Sequence, residues 1–121
     1  SARTPGEILA HVGDLFDWGI AMARGSHSWN PVAPQGWAAD ADRLHGAIVQ
    51  FDEILASDEP LRWPIEQLFQ GPVADALTHV GQLNMLRRLA GAPVRGENYA
   101  KAGIAAGVLP RTFTGPRVEF D

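Results

Sequence analysis

A chain of 121 residues, 45% hydrophobic and 20% charged, fits one compact domain with an ordinary core. Its net charge of -4, with both signs interspersed, offers no basic face to nucleic acid or anionic lipid, and no apolar run approaches the ~20 residues of a membrane span. Cysteine is absent, which excludes disulfides, thiolate zinc sites and cysteine nucleophiles together; with no signal-peptide pattern after Ser1, a cytoplasmic location is expected.

Thr4-Pro5-Gly6-Glu7 predicts a helix start. Thr4 can cap, Pro5 suits the first helical position, and Glu7 can close a capping box. From there to Ala23 the residues Ile8, Val12, Leu15, Phe16, Gly19 and Ala23 share one face, with Asp14, Asp17 and Arg24 on the other. Gly25 supplies a stop. The Pro-, Gly- and Ser-rich stretch from Ser26 to Gly36 reads as a loop. A second helix is expected from about Trp37 to Ala56, with Ala41, Leu44, Ile48, Phe51 and Leu55 as its buried stripe and Trp37 in the core. Arg43, Gln50 and Glu53 fall outside that stripe. Ser57-Asp58-Glu59-Pro60 ends it.

Trp63 to Phe69 predicts one short helical turn, and Pro72 opens a third long helix that Gly91-Ala92-Pro93 closes. Asn98 to Gly107 is expected to add a fourth, shorter helix. Strand signals are nearly absent. The expected fold is all-α: an antiparallel, up-down bundle of three long helices and one or two short ones. It forms a single domain over 1–121, with 108–121 an irregular C-terminal tail.

Asp75 and His79, one helical turn apart, project into the same arc as Leu83, Leu86 and Ala90. A carboxylate aimed toward a core must find a partner or lose its charge. Residues at i and i+4 stand roughly 6 Å apart at Cβ, so both can reach one ion. His11, at the margin of the first helix's apolar face and near its start, is the natural third ligand. If the first and third long helices ran parallel, both would present ligands at one end of the bundle. The metal set is therefore His11, Asp75 and His79, with Gln82 and Asp14 as partners that orient the imidazoles and Trp18 as a pocket wall. Three protein ligands leave coordination positions open, as catalytic sites do, and the set suits Zn, Ni, Fe or Mn. The plain alternative is a structural Asp75–His79 pair, or a pair with Arg87 or Arg88 of a neighbouring molecule. His45 and His27 read as surface residues, and Trp29 and Trp63 as packing or cavity-lining aromatics.

The run Asp75-Ala-Leu-Thr-His79-Val-Gly81-Gln82-Leu83 resembles the last long helix of the DinB-like superfamily, which typically carries His, three residues, a second His, then x-Gly-Gln-Leu. The opening Pro5-Gly-Glu-Ile-Leu-Ala-His11 is similar to that family's second helix, which supplies another metal-binding His near its start. The stretch Val94 to Gly107 has the look of one bacterial branch. The resemblance implies a four-helix bundle, often dimeric, holding a divalent metal on three side chains. His11 and His79 match two ligand positions, whereas Asp75 stands where the family has His. The family's first helix precedes the one carrying His11 and has no counterpart here: either that helix is missing from this sequence or another subunit supplies the wall, and the apolar faces left exposed lead to the expectation of a homodimer. Family activities include transfer or isomerisation with low-molecular-weight thiols such as bacillithiol, mycothiol or glutathione, and metal-assisted hydrolysis is a further expectation. Other members are known only as stress-induced proteins. The alternative is a metal-free helical module binding a small molecule or a partner.

Overall fold

The computed structural model describes residues 2–109, 111 and 118. Helix α1 spans Pro5–Ala23, α2 Trp37–Ala56 and α3 Ile65–Leu68. A π-helical turn, Phe69–Val73, then leads directly into α4, Ala74–Leu89. The described residues contain no strand, and none of the helices is long and apolar enough to cross a membrane.

The start of α1 forms as its sequence dictates. Thr4 accepts from the Glu7 amide, and the Glu7 carboxylate accepts from the Thr4 amide at 2.6 Å. These bonds hold the Glu7 carboxyl below its usual pKa. At the other end Gly25 adopts φ +88°, and the Ser26 amide reaches back to the Ala21 carbonyl at 2.8 Å. Gly91, at φ +79°, closes α4 in the same way.

Helix α1 is buried on nearly every side. Leu9, Ala10, Gly13 and Ile20 are as enclosed as Ile8, Val12 and Leu15. A helix apolar almost all round belongs at the centre, and α1 packs against both α2 and α4. One apolar cluster joins Ile20, Met22 and Ala23 to Ala47, Phe51, Ile54 and Leu68. A second joins Ile8, Val12 and Leu15 to Ala76, flanked by Leu44, Leu83 and Leu86.

Four expectations need correction. First, α1 and α2 run parallel, not up-down. Arg43 meets Gly13 while Phe51, further along α2, meets Gly19. The loop after α1 makes this possible by travelling back along the helix, with the Val32 amide bonded to Asp14 at 3.0 Å. Second, the inward face of α2 is turned by about one residue, so that Asp40, Ala47, Phe51 and Ile54 are buried while Leu55 and Trp37 are exposed. Arg43, expected outside, lies against α1. The cause is polar: the Asp40 carboxylate accepts from the Gln35 amide, and Arg43 serves two aspartates of α1, so both must face inward.

Third, the last long helix does not open at Pro72. Proline lacks an N–H and its ring collides with the carbonyl four residues back. Here the wide π turn absorbs that conflict and the chain stays helical from Ile65 to Leu89. Pro72 is fully buried against Gly19, where a Cβ would come within 3.2 Å of its ring. Fourth, Asn98 to Gly107 forms turns rather than a helix. The Asn98 side chain accepts from the Ala100 amide, offering the backbone a competing partner. Of the expected tail at 108–121, residues 110, 112–117 and 119–121 lie outside the described residues. Arg111 pairs with Asp42 on α2 at 2.7 Å.

Candidate metal centre

Helices α1 and α4 run antiparallel. Pro72 lies against Gly19 at one end, and His79 lies against His11 toward the other. This corrects the expected parallel pairing, yet the ligands still meet. The helical segment begins upstream of Pro72, beside the C-terminal half of α1, so His79 arrives level with His11.

The imidazoles of His11 and His79 stand edge to face with centroids 4.6 Å apart. His79 Nε2 lies 3.4 Å from Asp75 Oδ1. One ligand atom from each of His11, Asp75 and His79 lies within 4.8 Å of the others. Donors bound tetrahedrally at about 2.0–2.1 Å sit about 3.3 Å from one another. The His79–Asp75 spacing already meets that requirement, and small side-chain rotations would close the rest. The donor set therefore fits a divalent ion.

The other nitrogen of His79 is also engaged. Its Nδ1 donates to Gln82 Oε1 at 2.7 Å, leaving the Nε2 lone pair directed toward Asp75. Holding one ring nitrogen protonated so that the other can ligate is the common arrangement behind metal-binding imidazoles. His79 is 12% exposed and Asp75 48%. Asp75 thus sits at the rim instead of aiming into the core. The Thr78 hydroxyl donates to the Asp75 carbonyl at 2.7 Å and also lies 3.3 Å from Oδ1.

His11 has a lowered pKa. Burial is the main cause, the charge of Arg3 and then the proximity of His79 add to it, and Asp75 and Asp14 oppose it. The imidazole is therefore kept neutral, the form able to ligate. Trp29, brought back by the loop, places its ring 5.7 Å from His11, and Trp18 lies 5.9 Å behind Trp29. Trp18 thus supports the wall of the site through Trp29.

Asp14 does a different job from the one expected. It is 5% exposed, accepts from Arg43 Nη2 at 3.0 Å and from the Val32 amide, and so fastens α2 and the loop to α1. Arg43 also donates to Asp17 at 2.8 Å and to the Ala10 carbonyl at 2.6 Å. Gly13 is what admits the guanidinium, since a Cβ there would lie 2.8 Å from Nη2. His45 and His27 take no part in the centre. His45 bonds the Ala41 carbonyl, and His27 packs edge-on to Trp63.

Sequence reasoning missed Arg3. It lines a pocket of about 540 Å³ that opens beside His79 and Gln82, with Ile8, Met85 and Leu86 as its apolar floor. A single cation just before an N-cap leaves no mark on hydropathy or periodicity, so only the packing of α1 on α4 reveals it. No family model, curated protein or solved structure matches the chain.

Proposed function

We propose that this chain is a divalent-metal-dependent enzyme of the DinB-like group, with His11, Asp75 and His79 as the ligands. Transfer involving a low-molecular-weight thiol ranks ahead of metal-assisted hydrolysis. The observation that carries the reading is the convergence of two imidazoles and a carboxylate from α1 and α4, with His79 Nδ1 already committed to Gln82. A divalent ion bound there would supply Lewis acidity, lowering the pKa of a thiol or water at its open positions.

The chain's own groups have separable tasks. Gln82 holds the His79 tautomer and ring orientation. Asp75, at the rim, offers negative charge to a cation without paying for deep burial. Trp29 shields one side of His11 from water. Because cysteine is absent, a sulfur nucleophile must come from a cosubstrate, in a cytoplasm that keeps such thiols reduced.

Calorimetric titration of chelator-treated protein with Zn²⁺, backed by elemental analysis, tests the assignment. One equivalent should bind, and His79→Ala should weaken it about a hundredfold or more, beyond what loss of an orienting partner costs. Undiminished stoichiometric binding by that variant refutes the ligand set.

A second reading has its own support. With a proton on each ring nitrogen, His79 would give one to Gln82 and the other to Asp75, satisfying these polar groups without an ion, as a metal-free binding module would require. Protein purified without added metal that carries none, and takes none up, decides for it. Self-association into a homodimer belongs to the leading reading. Leu77 and Val80 on α4, with Met85 and Leu89 further along it, present apolar side chains to solvent that a second copy could cover.

A further inference from the structure

The pocket beside His79 has a chemistry of its own. Its volume of about 540 Å³ lies in the range of small-molecule sites. Ile8 from α1, with Met85 and Leu86 from α4, gives it an apolar floor. His79 and Gln82 form the polar edge nearest the metal centre, and Arg3 stands at the rim.

The charges around it are unequally committed. Glu7 is engaged by Thr4 in the capping box, and Asp14 is held by Arg43 and the Val32 amide. Asp75 faces His79. Arg3, by contrast, makes no ion pair or hydrogen bond among the described residues, although it lies close enough for its charge to act on both His11 and Glu7. The cation lining this pocket is therefore available to a ligand. A divalent ion on two neutral imidazoles and one carboxylate would leave the neighbouring centre at net +1, which adds to the pull on an anion.

We infer that this pocket binds a small organic anion, a carboxylate with an apolar body, whose acid group pairs with Arg3 and whose hydrocarbon lies on Ile8, Met85 and Leu86. The occupant is thereby placed with one end at His79 and Gln82. As a substrate it rests on the metal-enzyme reading above; as a bound anion it does not. The substrate class follows from the match of parts. A neutral apolar molecule would leave Arg3 unused, and a compact inorganic anion would leave the floor exposed.

The test uses the full chain, chelator-treated, with hexanoate as probe and hexanol as its uncharged counterpart. Binding is followed by NMR through the Met85 methyl resonance. Hexanoate should shift that resonance saturably, and hexanol should bind severalfold more weakly. Arg3→Gln should weaken hexanoate about threefold to fivefold, as loss of a partly solvated charge pair does, and leave hexanol unchanged. Arg3 lies outside the helices, so the variant retains the fold, which an unchanged NMR spectrum away from the pocket verifies. Equal binding of hexanol and hexanoate, an Arg3→Gln variant with unaltered hexanoate affinity, or no saturable shift at all overturns the inference. Zn²⁺ titration of the same two proteins is read separately. Loss of metal binding with hexanoate binding intact rejects the metal reading and spares the pocket.

Discussion

Replacing Arg43 by Met removes the fastening between α1, α2 and the returning loop while keeping most of the side chain's volume. The guanidinium makes three contacts: Asp17 at 2.8 Å, the Ala10 carbonyl at 2.6 Å and Asp14 at 3.0 Å. Asp14 is 5% exposed and Arg43 22%, so the variant strands a buried carboxylate with the Val32 amide as its remaining donor. Breaking such a pair costs about 3–5 kcal/mol, and since Arg43 keeps a fifth of its surface in water, the lower end, about 3 kcal/mol, applies. For a domain of this size that corresponds to a fall in Tm of about 12 °C. Most of the penalty belongs to the orphaned charge, so Asp14→Asn combined with Arg43→Met should recover about 2 kcal/mol relative to additivity. Urea titration followed by tryptophan fluorescence measures all four proteins. A loss below about 1 kcal/mol for Arg43→Met, or strict additivity in the double variant, refutes the argument that this pair is a fastening. Faster exchange of the Val32 amide should accompany the loss, because that amide bonds the same carboxylate.

Gln82→Leu should weaken Zn²⁺ binding about 10- to 100-fold by freeing the His79 ring, with little change in Tm, as read by calorimetry and thermal melting. His11 is held below its usual pKa, chiefly by burial, so the unfolded chain binds its proton more readily. Stability attributable to this residue is then full above the ordinary imidazole pKa and declines as pH falls toward the lowered folded value; His11→Asn should flatten that slope in urea titrations between pH 7.5 and 5. Gly19→Val should destabilise by about 2 kcal/mol, because the buried Pro72 ring cannot retreat from the added side chain, and the urea midpoint measures it. Sedimentation velocity should show dimer at micromolar concentration; a stable monomer throughout removes the proposed second copy.

Parts of this fold were legible because the information is local. Thr4, Pro5 and Glu7 announce α1 within one turn of chain, and Asp75 with His79 needs one helical repeat. His11 could be placed beside them because it lies at the edge of an apolar face. What escaped was polar or non-local. The stripe through Ala41, Ile48 and Leu55 looked convincing, but Asp40 and Arg43 turned α2 toward α1 for hydrogen bonds that hydropathy does not record. The parallel course of α1 and α2 depends on where a loop travels, and that loop is held by non-local contacts: the Val32 amide on Asp14 and the Trp29 ring against His11 and Trp18. Gln82 was readable as a second partner of His79, three residues on, whereas Arg3 meets the site only across the packed pair of helices. The spacing of Asp75 and His79 marked a centre; its neighbours had to be seen.

The widened turn at Phe69–Val73 has a consequence for how such a centre is aimed. A π bulge amounts to one extra residue, roughly a 100° change of azimuth for everything beyond it. Leu68 just before the turn and Pro72 within it are anchored in the interior, while Asp75, His79 and Gln82 take their heading from α4. The bulge is thus a phase adjuster: gaining or losing a single residue between Leu68 and Ala74 would swing all three side chains off target while leaving each of them unaltered.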